Sequence, residues 1–543
     1  IKAEISSMAS LDQLVAQRSC LDTVIRSIRS FPGTDAAMQE WICNALARWS
    51  CDELNRRPIV KNGGFEIIMS AMNRHPTVAN VQIQGCRALG NLCYDSEKNS
   101  VLLREVGGVS VILHAIHTCQ IIEDVFSKAC YALTTLLQND PHGVEYMSNY
   151  NLINIIVEGM RINNGGATAQ RLGCAVLWHL VPVAKPEKIT SSNYTTAEII
   201  DIVVNYSMIC HLDDSSVQKY SLALLAKCVI ADPDDRKSLK IIHEVSNWVI
   251  LSMKVHPYEP YIMEDGCTLL LHLMKKKSKE KVVNMITTLK LEGVLVESLW
   301  EHRDSPPIVE SIVAVLAEVA GHGLEEALCI SSVRGIPAIV SAMMANINDV
   351  HIQRQGCLCL SHLSLHKELR ASVGCAGGIY AIVDAMRFYP QIRGIQEHAI
   401  SALVNLATVQ YNAAMISLSD GIPIVEKAGN IYPDQCQNSA ETILKLTEKA
   451  NRSAGRRRPG LLHMKYRYSR FTTSLHDIFN QQRGSSRYRR GKTGQSSGQH
   501  KMHEHTRNQQ RERFNLFDSL KQIFDDDETT VFQKSESDET NFH

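Results

Sequence analysis

A chain that returns to the same phrase every 43 to 48 residues has few ways to bury its apolar surface, and this one does so nine times. The phrase is clearest as VQIQGCRALGNLCYD followed by GGVSVILHAI. It recurs as HIQRQGCLCLSHLSL then GGIYAIVDAM, as IQEHAISALVNLATV then GIPIVEKA, and upstream as MQEWICNALARWSCD then GGFEIIMSAM. With Gly85 as position 0, its equivalents are Ile42, Ala129, Gly173, Ser221, Gly266, Ile312, Gly356 and Ala399. A period of this length marks a stack of like units, each too small to fold alone and each burying its face against its neighbours.

Within the phrase, positions 0, +4 and +7 (Gly85, Leu89, Leu92) fall in one narrow arc at 100° per residue, so this stretch is a helix with a buried stripe. Position +1, beside that stripe, is cysteine in six units: Cys43, Cys86, Cys130, Cys174, Cys267 and Cys357. A small soft side chain suits that place. Positions −1, +2 and +6 lie opposite and should face solvent or a partner. A second mark, glycine ahead of an apolar helix, stands at Gly64, Gly108, Gly293, Gly335, Gly378 and Gly421 and suits a tight turn between closely packed helices. The glutamine at −3 (Gln39, Gln82, Gln170, Gln218, Gln353, Gln396) lies at the edge of the stripe and is read as a hydrogen-bonder between units.

The order of an apolar helix, a Gln-x-x-Gly-Cys-x-x-Leu-x-Asn-Leu helix, a short helix and a Gly-Gly-Ile helix resembles the armadillo-repeat family over residues 21–450. The likeness is strongest at 35–180 and 335–420, with HEAT repeats sharing the same stacking physics. The resemblance implies an all-α chain, a right-handed α-solenoid of about nine to ten repeats, whose phrase helices line a concave groove for extended or helical partner segments. Import adaptors of this family carry tryptophan at +2. Here +2 reads Asn44, Arg87, Tyr131, Ala175, Ala223, Thr268, Ala314, Leu358 and Ser401, so the import-adaptor role is not expected.

Composition fits a large aliphatic core, with 44% hydrophobic but only 6% aromatic residues. Zero net charge hides a division: residues 451–513 hold 16 Lys or Arg against 3 acids, and 514–543 hold 2 against 8, leaving 39 basic and 46 acidic residues in 1–450. The expected organisation is an N-terminal helical cap (1–20), a repeat solenoid (21–450) and a disordered tail (451–543) that is basic to 513 and acidic beyond. Inside the tail, Phe514, Phe517, Leu520, Ile523 and Phe524 stand near helical spacing and are read as a short docking helix. The insert VAKPEKITSSNYTTAE reads as a loop, Pro257, Pro260, Pro306 and Pro307 as helix ends, and Gly421–Ala450 as a shortened last unit.

No run of apolar residues approaches a bilayer's thickness and no signal organisation opens the chain, so a reduced, intracellular protein is expected, cytoplasmic and with nuclear residence left open. No phosphate-binding glycine loop, HExxH, CxxC pair or nucleophile elbow is present, and neither a cofactor nor a metal is expected. What remains is the row at +6: Arg48, Asn91, Thr135, His179, Lys227, His272, Glu318, His362 and Asn405, polar in every unit. The candidate partner-binding residues are Arg48, Arg87, Asn91, Thr135, His179, His272, His362 and Asn405. The resemblance implies that an asparagine at +6 contacts a bound peptide, which Asn91 and Asn405 match. The reading is therefore a non-enzymatic protein-interaction scaffold. Two alternatives stand beside it: a regulatory arm of a larger signalling enzyme such as a leucine-rich-repeat kinase, and binding of nucleic acid or an anionic surface through the Arg-rich tail with Tyr466, Tyr468 and Tyr488.

Overall fold

The computed structural model describes Ile25, Ile28 and residues 35–140, 142–148, 150–181, 195–231, 236–274 and 279–454. The cap at 1–20, the basic and acidic tail and its Phe514–Phe524 motif lie outside the described residues. Among those described are 26 α-helices, one π-helical segment and no strand.

The chain opens with α1 (Ala36–Trp49), α2 (Glu53–Lys61), α3 (Gly64–Arg74) and α4 (Ala79–Cys93). Next come α5 (Glu97–Glu105), α6 (Gly108–Thr118) and α7 (Glu123–Asn139), then α8 (Gly143–Ser148), α9 (Leu152–Ile162) and α10 (Ala167–Leu180). The middle comprises α11 (Thr196–Ile202) running into the π-helical Val203–Met208, α12 (Ser215–Ala231), α13 (Arg236–Val255) and α14 (Pro260–Met274). There follow α15 (Lys279–Thr288), α16 (Leu291–Glu301), α17 (Pro306–Ala320), α18 (Leu324–Ser332), α19 (Gly335–Ala345) and α20 (Val350–Leu365). The last are α21 (Lys367–Cys375), α22 (Gly378–Phe388), α23 (Arg393–Leu406), α24 (Gln410–Leu418), α25 (Gly421–Ile431) and α26 (Pro433–Ala454).

Most phrases are the last and longest helix of a three-helix unit; α14, with 15 residues, is preceded by the single 20-residue α13. These long helices pack consecutively, α1 on α4, α4 on α7 and so on through α10, α12, α14, α17, α20 and α23 to α26. This is an α-solenoid, and one apolar core runs through it from Ile25 to Ala450. The first two helices of a unit meet at a steep bend, 72° between α5 and α6 and 75° between α18 and α19. No single helix among the described residues is long and apolar enough to cross a membrane.

The glycine pair at that bend has two separate jobs. Gly107 and Gly377 adopt φ of 82° and 86°, a left-handed conformation that costs an L side chain energy. The next residue, Gly108 or Gly378, leaves no room for a Cβ, which would stand 2.9 Å from the carbonyl oxygen of Leu103 or Val373. Asn151, Lys290, Arg334 and Asp420 take the left-handed position in other units. Gly293 is therefore out of frame: Lys290 makes the turn, Leu291 starts the helix, and Gly293 lies within it with only Val333 nearby, at 3.8 Å.

Position 0 is small for a packing reason that recurs with the repeat. A Cβ on Gly85, Gly173, Gly266 or Gly356 would meet the side chain of Met72, Met160, Met253 or Met343 at 2.5–2.6 Å. The cysteines at +1 are all fully buried. Burial pushes the thiols of Cys43 and Cys357 up to about 12 and that of Cys174 to about 11, so they pack as apolar groups and do not ionise near neutrality.

The amide hydrogens of the glutamine at −3 bond within a unit, and a bond between units comes only from the Gln170 oxygen among the described residues, which accepts from Ser207. Gln82, Gln170, Gln218, Gln353 and Gln396 each donate both amide hydrogens, at 2.7–3.0 Å, to carbonyls at the C-terminal end of the preceding helical segment. The pairs are Met72 and His75, Met160 and Asn163, Met208 and His211, Met343 and Asn346, and Met386 and Tyr389. A helix end has unsatisfied carbonyls, and this side chain caps two of them. The turn itself also bonds unit to unit: Asn163 donates to the Gln120 carbonyl at 3.1 Å, Asn346 to Arg303 at 3.0 Å, and the Tyr389 hydroxyl to Ile347 at 3.0 Å.

Two boundaries also shift. The loop expected through Glu198 ends at Thr195, whose side chain forms a capping box with Glu198 and starts α11. The last unit is not shortened, since α24, α25 and the 22-residue α26 make it complete. Pro260 and Pro306 open α14 and α17, where a missing N–H costs nothing.

Candidate functional site: the outward face of the long helices

At 100° per residue, positions −5, −2, −1, +2 and +6 fall within one arc opposite the buried stripe. Most of these side chains are half-buried or exposed, but not all: Ser127 at −2, Ala175 and Ala314 at +2 and Thr135 at +6 are buried. Arg48 is exposed, while Arg87, Asn91, His179, His272, His362 and Asn405 are half-buried.

The +6 row is a ladder, and several rungs are tied to the stack itself. The Asn91 amide donates to the Ala47 carbonyl of α1 at 2.7 Å, and its oxygen accepts from the Tyr131 hydroxyl of α7 at 3.0 Å. His362 bonds through Nδ1 to the Ala317 carbonyl of α17 at 2.8 Å, and the Lys227 ammonium donates to the Trp178 carbonyl of α10. Ala47, Trp178 and Ala317 all occupy position +5, so one geometry recurs: a +6 donor reaches back to the +5 carbonyl of the preceding long helix. Other rungs turn on their own helix, Thr135 to Tyr131 at 2.9 Å, His272 to Thr268 at 3.1 Å and Asn405 to Ser401 at 3.0 Å. Glu318 accepts from Lys279 at 2.8 Å.

Between α10 and α14 the face becomes aromatic and cationic. The Lys227 ammonium stands 4.3 Å from the ring centre of Trp178, which is 40% exposed despite its size. His179 meets that indole edge-on at 5.0 Å, and burial followed by the Lys227 charge lowers its pKa, keeping it neutral. Burial also lowers the pKa of Lys227. One unit on, the Lys219 ammonium lies 3.7 Å over the ring of Tyr261, which is 54% exposed. Behind Tyr261, burial and then Glu264 raise the Asp265 carboxyl to about 6, against the pull of Lys219.

Trp178, Lys219, Tyr261 and Asp265 were not among the residues picked from the sequence. Their signal was available: −5, −2 and −1 share the arc of +2 and +6, whereas Trp178 at +5 is carried onto the face by the bulk of its ring. Among the described residues no group of three or more His, Cys, Asp or Glu is placed to hold a metal ion.

Comparisons with known proteins agree with this architecture. The family model described as the LRRK2 ARM repeat matches residues 61–239 and 185–421, including the middle units whose phrase is weakest. The protein aardvark of Dictyostelium discoideum is 36% identical over 90 residues; the match covers 15% of this chain and only 12% of aardvark's length. An engineered protein of known structure superposes with a TM-score of 0.56 at 18% identity, over 79% of this chain and 98% of that one. A chain from a structure described as a conserved phosphorylation switch controlling the interaction between cadherin and beta-catenin superposes with a TM-score of 0.59 at 10% identity, over 79% and 86%. Repeat length, stacking order, glycine-turned helix pairs and the matched family model together mean that the chain belongs to the armadillo-repeat family, in the group described by the LRRK2 ARM repeat.

Proposed function

We propose that this protein is a non-enzymatic interaction scaffold, resident in the cytoplasm, that holds segments of partner proteins along the outward face of its long helices. The observation that carries the reading is the row of half-exposed side chains on successive units, with Trp178–Lys227 and Lys219–Tyr261 at its centre. Large aromatic rings left in contact with water beside cations are expensive to leave idle and well suited to an extended chain. Asn405, His272 and Arg87 extend the row on either side.

A photo-crosslinker placed at Ala223 (+2 of α12) in the full chain tests this. Partner segments should crosslink there and not from Met344, which is exposed on α19. Crosslinking to protein from Met344 but not from Ala223 would refute the reading. A second reading, the regulatory arm of a larger signalling enzyme, is favoured by the matched family model. It uses the same face and predicts that what crosslinks at Ala223 is a segment of that enzyme or of its substrate.

A further inference from the structure

Between α7 and α17 one lane of the face passes from basic to acidic, with Arg354 of α20 following it. Positions −2 and −1 read Ser127 and Lys128 on α7, Arg171 and Leu172 on α10, and Lys219 and Tyr220 on α12. They then read Glu264 and Asp265 on α14, and Glu310 and Ser311 on α17. Three consecutive units are basic and the next two acidic, and all six charged side chains reach solvent at least in part. Lys128, Arg171 and Lys219 form no ion pair with a carboxylate among the described residues. On the acidic side Glu310 stands 3.9 Å from His351, and the Asp265 carboxyl is raised by burial first and by the neighbouring Glu264 second. Carboxylates farther along are matched, Glu318 by Lys279 at 2.8 Å and Glu397 by Arg393 at 2.7 Å. The crossover is local: Lys219 lies over Tyr261 and is felt by Asp265 on the same helix.

Resting on the scaffold reading, we infer that this lane selects a protein segment of split charge, with its acidic half over Lys128, Arg171 and Lys219 and its basic half over Glu264, Asp265 and Glu310. Nucleic acid and anionic membranes do not fit, because the acidic half repels phosphates that the basic half would attract. Stacked helices stand about 8–10 Å apart and an extended chain advances about 3.3 Å per residue, so one unit corresponds to about three residues of partner. Acids are expected at every third residue, and basic residues continue the same spacing past the crossover.

The test uses fluorescent 15-residue peptides and the full chain, read by anisotropy at about 50 and 300 mM salt. Two peptides carry Glu at 1, 4 and 7 with Lys at 10 and 13, one in each chain direction. A third carries the same residues with the charges alternating. One block peptide should bind at least fivefold tighter than the alternating one, lose that advantage at high salt, and lose it again in Lys219→Glu and in Glu310→Lys. Equal binding of block and alternating peptides, insensitivity to those reversals, or no saturable binding overturns the inference. If crosslinking at Ala223 still captures partner protein in that event, the scaffold reading survives without the charge rule; if it does not, both fall.

Discussion

Replacing Gln170 and Gln353 by methionine, one at a time, separates a fully satisfied buried amide from a partly satisfied one. Methionine keeps the volume, so the change is mainly in hydrogen bonding. In each case two donated bonds are lost, at 2.8 and 3.0 Å from Gln170 and at 2.7 and 3.0 Å from Gln353. The Asn163 and Asn346 carbonyls keep a second donor, the backbone N–H of Gly166 or Asp349, whereas those of Met160 and Met343 lose the side-chain amide that caps them. The oxygens differ. That of Gln170 accepts from the Ser207 hydroxyl at 2.9 Å, while that of Gln353 is buried without a protein partner. An orphaned buried acceptor costs about 1–3 kcal/mol and a net bond about 0.5–1.5 kcal/mol, so Gln170→Met should lose about 2–4 kcal/mol. Gln353→Met loses the same donors but relieves an unpaired oxygen, and should lose about 1–2 kcal/mol less. Because units of a stack open locally, the assay is native-state hydrogen exchange of 152–180 and 335–365 in the full chain, with urea unfolding beside it. Equal losses, or a larger loss at Gln353, would refute the claim that the state of the side-chain oxygen separates the two sites, since the capping bonds are the same in both.

The buried cysteines at +1 should resist alkylation in the native protein at pH 8, while Cys51, Cys210 and Cys375 are modified within minutes, as mapped by peptide mass spectrometry; rapid modification of Cys86 or Cys267 would contradict the packing. Asp265, held near 6 against an ordinary 3.8, binds its proton more tightly folded than unfolded, so it destabilises the fold above about pH 6 and that cost disappears as pH falls toward 4. Asp265→Asn should therefore gain about 1–3 kcal/mol in urea unfolding at pH 7.5 and nothing at pH 4. Arg334→Gly, relieving a φ of 64°, should stabilise by up to about 1 kcal/mol, and Gly377→Ala, imposing a Cβ at φ 86°, should destabilise by about 1 kcal/mol; opposite signs in thermal melts would show that the turns are not under that constraint.

Periodicity was legible because it is a property of the chain alone. The frame from Gly85, the buried stripe, the cysteine position and the outward arc all follow from counting at 100° per residue. What could not be counted was which helix a polar side chain reaches. Gln82 stands at the edge of the stripe in any helical projection, yet whether it caps its own unit or bridges to the next depends on where the neighbouring helix ends. Gly293 misled because a glycine two residues inside a helix looks like one at the turn, while the turn residue, Lys290, has no composition that announces it. The same limit applied to the face: Trp178 at +5 falls just outside the arc, and only the packed position of its ring brings it against Lys227.

The division of labour at +6 bears on recognition. Asn91, Lys227 and His362 each donate to the +5 carbonyl of the preceding long helix, so a partner that used those donors would first have to break bonds holding two units together. Exchanging one such bond for another gains little, about 0.5–1.5 kcal/mol at best. Lysines and arginine at −2 and −1 carry no such obligation: Lys128 and Arg171 have no described partner to give up, and Lys219 has only the rings of Tyr261 and Tyr220 and the charge of Asp265. Affinity should therefore respond more to charge reversal at Lys219 or Glu310 than to loss of the amide at Asn91. Alanine at Asn91 should instead appear as faster exchange at the α1–α4–α7 contacts, since its two bonds run to α1 and α7. The polar ladder then sets how the units sit on one another, and the lane beside it is left to distinguish partners.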